Sequence, residues 1–110
     1  MDSVLTSVKK LLGIEENYTH FDSDVIMHIN TALMTLDQMG VLDKKTSIDD
    51  STTKWSDLVT DTEKFSAIKS YIHLKVRLLF DPPSSSFVIE SIKDQIEELE
   101  WRLRTRREFE

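Results

Sequence analysis

The run Phe80-Asp81-Pro82-Pro83-Ser84-Ser85-Ser86 separates two strongly helical segments and constrains this chain more than any other stretch. Proline lacks a backbone N–H and cannot continue a helix, and Pro82 also drives Asp81 out of the helical region, so the preceding helix must end near Phe80. The next helix starts afresh. From about Ser85 to Arg107 the sequence predicts one helix of about 23 residues, roughly 35 Å long at 1.5 Å per residue. A globule of 110 residues has a radius of gyration of only roughly 13 Å. Part of that helix is therefore expected to outrun its own domain.

Upstream of the break, Val4, Leu5, Val8, Leu11 and Leu12 recur at three- and four-residue intervals and Gly13 follows, which predicts a short first helix. Asp22-Ser23-Asp24 offers capping side chains and negative charge at a helix start. Val25, Ile26, Ile29, Ala32, Leu33, Leu36 and Met39 continue it, and Gly40 closes it. From Asp43 to Ser56 the residues are mainly Lys, Thr, Ser and Asp, with Ile48 the one aliphatic side chain before Trp55, so this stretch predicts a long polar loop. Thr60-Asp61-Thr62-Glu63 has the form of a capping box opening a third helix. Its stripe of Phe65, Ile68, Ile72, Val76 and Leu79 is widened by Tyr71, Leu74, Leu78 and Phe80, which predicts the buried centre of the fold. In the last helix Ile89, Ile92, Ile96, Leu99 and Leu103 form an unbroken heptad seam, while Phe87, Glu90, Asp94, Glu97 and Trp101 fall on a different face.

These elements predict an all-α fold, a small bundle of about four helices in a single domain over residues 1–110. It has a long C-terminal helix, a long polar loop between the second and third main helices, and residues 102–110 as a basic extension. Composition agrees: 31% of residues are charged and there are only 2 Gly and 2 Pro, which favours helix over sheet. Cysteine is absent, so disulfides and thiolate metal sites contribute nothing and stability must come from packing or assembly. The N-terminal residues lack a basic region followed by an apolar run, and no stretch approaches the roughly 20 apolar residues of a membrane span. A soluble, unsecreted protein with no membrane partner is expected.

Charge is unevenly placed. Residues 1–100 hold 10 basic and 18 acidic groups, and residues 101–110 hold 4 basic and 2 acidic, which together make the net charge of −6. An acidic body repels nucleic-acid phosphates and disfavours a domain that grips DNA, but not a channel wall past which DNA slides. Catalysis has little support. His20, His28 and His73 form no i, i+4 ligand pair with a neighbouring carboxylate. The pairs Glu15-Glu16, Asp49-Asp50 and Glu97-Glu98 lie in polar surroundings that would not raise a pKa. Ser84-Ser85-Ser86 has no glycine-bounded nucleophile turn around it and suits a helix cap. No enzyme activity, metal or cofactor is expected.

Two aromatic positions admit two readings each. Arg102, Arg104, Arg106 and Arg107 complement the dipole at a helix end, or form with the out-facing Trp101 the aromatic-plus-arginine composition of an interface anchor. Trp55 is either a plug over the core beneath the polar loop or a partner contact.

In order and in detail these features resemble the head-to-tail connector, or head-completion adaptor, proteins of long-tailed bacteriophages. The resemblance runs through nearly the whole chain: Val4 to Leu12, Val25 to Gly40, Trp55-Ser56-Asp57-Leu58, Glu63 to Leu79 and Ser86 to Arg107. Its most specific pieces are Leu78-Leu79-Phe80-Asp81-Pro82-Pro83 and Glu98-Leu99-Glu100-Trp101-Arg102-Leu103. It implies a structural virion protein, made in the bacterial host cytoplasm and placed at the neck. Copies would form a ring of about twelve, closed through heterologous contacts, that binds below the portal protein after packaging. That ring extends the DNA channel without binding DNA specifically and docks the next head-completion (stopper) or tail component. On this reading Trp101, Arg102, Arg104, Arg106 and Arg107 are expected to meet the portal. The polar loop, through Lys44, Lys45, Asp49, Asp50 and Lys54, is expected to face the channel or the tail-side component. Phe80, Asp81, Pro82, Pro83 and Trp55 are structural. A chain ended after Leu99 is expected to keep its helical fold.

Two rivals differ in class. A DNA-interacting packaging or regulatory protein would use the second and third helices as a helix-turn-helix, but their separation is too long and neither begins with clustered basic residues. A generic helical protein-binding adaptor would use the last helix alone.

Overall fold

The computed structural model describes residues 3–42, 47–59 and 62–108, with side chains at all of these except 62–63 and 105–108. Among the described residues there are four α-helices: α1 (Val4–Leu11), α2 (Asp22–Gln38), α3 (Thr62–Phe80) and α4 (Ser86–Glu108). A short 3-10 turn at Trp55–Asp57 lies between α2 and α3. α3 packs against all three other helices, most extensively α2 and α4. Its Ile68, Tyr71, Ile72 and Val76 are fully buried, as a central helix with a widened apolar stripe requires. Residues 39–61 separate α2 from α3, which is no helix-turn-helix.

The helix ends follow their sequence signals with one exception. Ser3 caps α1 by accepting from the Thr6 N–H at 3.1 Å, and Gly13 and Gly40 take the left-handed φ of +81° and +75° just beyond α1 and α2. Ser85 accepts the Val88 N–H at 3.4 Å at the start of α4. α2 is the exception. Asp22 is its first helical residue, Phe21 occupies the cap without a side-chain bond, and the Asp22 carboxylate is instead 2.8 Å from the Lys9 ammonium. The capping box expected at Thr60–Glu63 lies outside the described residues and side chains.

The break at residues 81–85 is anchored from within. The Phe80 ring meets Phe21 edge-on at 5.4 Å and His28 at 6.3 Å, so the end of α3 is fastened to the start of α2 before the chain reverses into α4. Leu79 departs from the expected stripe: in the final turn, no following turn covers it, and it is exposed.

Ile92, Ile96 and Leu103 of the α4 seam are buried and Leu99 partly so. One expectation changes here. α4 is roughly 35 Å long in a molecule whose longest extent is 41 Å, and its exposed apolar side chains are Phe87 and Val88 in the first turn and Trp101 near the other end. Leu103 belongs to the core and Glu100 is bonded to α3, so ending the chain after Leu99 would cut the bundle rather than spare it.

Candidate partner-binding surface

The two tryptophans occupy opposite environments. Trp55 is 1% exposed and its indole N–H donates to the Ser7 hydroxyl at 3.0 Å, so it is the plug over the core and presents nothing to a partner. Trp101 is 66% exposed on α4, off the apolar seam. Arg102 beside it is exposed and pairs with Glu98 one turn back at 2.7 Å, a contact worth a few tenths of a kcal/mol at a solvated site. Arg104 is exposed too. The side chains of Arg106 and Arg107 lie outside those described, on helical backbone that continues to Glu108.

The polar loop is more structured than its composition predicts. Asn30 of α2 accepts from the Ile48 N–H at 2.7 Å and donates to the Ile48 carbonyl at 2.9 Å, clamping a residue that is itself buried. The Val4 N–H donates to the Thr53 carbonyl at 2.9 Å, and Ser3 and Lys54 form an isolated antiparallel bridge. Asp57 accepts the Lys54 N–H at 2.9 Å, closing the turn that carries Trp55. Ile48, Trp55, Leu58 and Val59 all enter the core. Asp49, Asp50 and Lys54 remain exposed, with Asp50 accepting from the Thr52 N–H and hydroxyl. Lys44 and Lys45 lie outside the described residues.

Three polar groups that composition did not single out hold these surfaces in place. The Lys9 ammonium, 3% exposed, donates to the Glu16 and Tyr18 carbonyls at 2.9 and 2.8 Å and forms an ion pair with Asp22 at 2.8 Å. Tyr71 donates to the Glu100 carboxylate at 2.8 Å, tying α3 to α4 one residue before Trp101. Burial, then the bond to Glu100, pushes the Tyr71 phenol well above its ordinary range. His73 lies beside the end of α1, where burial, then the Arg77 guanidinium, pushes its imidazole down against a backbone bond at Leu11. With Lys9 and Tyr71, Asn30 through its clamp on Ile48 is the third of these groups. Among the described residues no group of three His, Cys, Asp or Glu side chains is placed to hold a metal ion, and no helix is long and apolar enough to cross a membrane.

A family model described as phage connector protein matches residues 4–110, a span that takes in all four helices. The chain belongs to the phage connector protein family. The connector is accordingly a structural component of the virion at the head–tail junction, with portal or tail components as its partners. Neither the curated proteins nor the solved structures compared with the connector give a match.

Proposed function

We propose that the connector is one subunit of an adaptor ring of about twelve copies, matched to the portal symmetry. It docks below the portal once the genome is packaged, continues the DNA channel, and offers its far side to the next stopper or tail component. The observation that carries this reading is the family match across the whole bundle. Charge supports it: a body with 10 basic and 18 acidic groups over residues 1–100 lets DNA pass without holding it.

Within that ring the end of α4 meets the portal through Trp101, Arg102, Arg104, Arg106 and Arg107. An exposed indole beside guanidiniums has the composition of an interface anchor, and the Tyr71–Glu100 bond holds that turn rigid. The loop bearing Lys44, Lys45, Asp49, Asp50 and Lys54 faces the channel or the tail-side component. No catalytic step, metal or cofactor enters this role.

Purified connector mixed with DNA-filled, tailless heads and imaged by electron microscopy should show a new ring of density below the portal. Heads that stay bare in the presence of folded protein would sink the reading. Alanine at Trp101 and Arg102, both exposed, should abolish the density while leaving helicity unchanged; undiminished rings would remove this end of α4 from the portal contact.

A further inference from the structure

α4 carries a second heptad register outside its buried seam. Phe87, Asp94 and Trp101 recur every seven residues, with Glu90 and Glu97 interleaved at the three-residue offset. The first half of this register joins a ring that is 82% exposed to two exposed carboxylates, Glu90 and Asp94. Glu90 has a weak partner in Lys93 at 3.8 Å, and Asp94 has no ion-pair partner among the described residues.

On the other flank of α3, the end of α1 and the last turns of α3 enclose a recess of about 350 Å³ lined by Lys10, Leu11, Leu12, Gly13, Arg77 and Asp81. Two cations stand there against one carboxylate. Leu11 is 47% exposed, and a Cβ added at Gly13 would meet nothing within 4 Å, so the recess is open to an incoming side chain. Within one chain no α4 residue lines this recess: Arg77 shares it with Leu11 of α1, whereas Ser70 and Leu74 of α3 share a groove with Gln95 and Leu99 of α4.

We infer that the start of α4 in one copy seats in the α1–α3 recess of a second copy. Phe87 lies against Leu11 and Leu12, and Glu90 and Asp94 face Lys10 and Arg77. The charge match selects this occupant, an acidic stripe meeting a net basic rim, with an aromatic side chain meeting an exposed leucine. Because each copy supplies one surface and receives with the other, the contact is heterologous and propagates from copy to copy until rotation closes a ring. This assignment rests on the proposed adaptor ring and names the faces by which neighbouring subunits join, leaving the Trp101 end of α4 to the portal.

The chain has no cysteine, so an introduced pair reports the contact directly. Leu11→Cys and Phe87→Cys, both at exposed positions, combined in one chain and treated with a short bis-maleimide on DNA-filled tailless heads, should give a ladder of dimers, trimers and higher species. Mixing the two single variants should stop at dimers, and dimers from either single variant alone would overturn the heterologous pairing. Arg77→Glu in the doubly substituted chain should lower the cross-linked yield about tenfold or more, and adding Asp94→Lys should restore it. Failure of that rescue would overturn the charge pairing. Ring density on the heads without a ladder would overturn the inference and leave the connector ring standing. A ladder without density on the heads would support the self-contact and overturn the portal placement. Absence of both would overturn the two together.

Discussion

Trp55 and Trp101 are the same residue in two settings. Trp55 follows the most polar stretch of the chain and is sealed in the core with its N–H bonded to Ser7. Trp101 lies in a helix with an unbroken apolar seam and stands in solvent. The exposed indole is therefore on the outside of the most regular helix, while the irregular segment is largely spent on holding the bundle shut. A long loop can be structural when its few apolar residues reach the core and its backbone finds partners.

The largest effect that would break the comparison is at Trp55 itself. Trp55→Ala should cost roughly 3–5 kcal/mol, read as a shifted urea midpoint. Trp101→Ala should stay within about 0.5 kcal/mol and lose the ring on the heads instead. Equal destabilisation by the two would erase the distinction. Lys9→Met comes next, since it strands the Asp22 carboxylate and two carbonyls that the ammonium now satisfies. The expected loss is about 3 kcal/mol, again by urea unfolding, and a neutral result would mean that the segment joining α1 and α2 is not held by this contact.

A third substitution sharpens the view of the loop. Asn30→Ala frees the Ile48 N–H and carbonyl and should cost about 2 kcal/mol, with faster amide exchange concentrated around residues 47–59. Uniform acceleration through the helices would place the clamp in the global core instead.

The smallest effects come from pH. Tyr71 is neutral in the fold with its phenol pushed up by burial and by Glu100, whereas the unfolded chain gives up that proton near pH ~10. Its contribution is complete below that pH and is lost as pH rises further, and Tyr71→Phe should flatten the decline. His73 has the opposite dependence. Its imidazole is pushed down by burial and Arg77, and the unfolded chain takes a proton near pH ~6.5, so its contribution is complete above that pH and fades below it. Urea midpoints measured from acid to alkaline pH check both slopes.

The helices, the break and the buried seam were legible because each rests on a local rule: periodicity, a proline, a glycine after the last turn. The exposed Trp101 followed from helical phase, whereas position alone left Trp55 as either a plug or a partner contact. The pins were harder to read because each depends on a residue distant in sequence. Lys9 joins Leu5 and Leu12 at i, i+4, i+7 spacing, Asn30 does so between Ile26 and Leu33, and Glu100 between Ile96 and Leu103. A polar residue at an apolar-stripe position marks a buried bond whose partner the sequence does not name. The length of α4 was legible, but its burial was not. The heptad pattern predicts a helix but not how far its partners cover it: Phe87 and Val88 of the first turn are exposed, whereas Leu103 near the other end is buried.

The bond between Ser7 and Trp55 spans 48 positions of sequence. On a ribosome adding roughly 5–20 residues per second, the partner of α1 emerges roughly 2–10 s after α1 itself. An eight-residue helix is too short to persist alone in water, so α1 passes that interval without its final seat. The first-made helix therefore waits on partners made after it, and a pause in translation just before Trp55 prolongs the interval in which α1 lacks its seat.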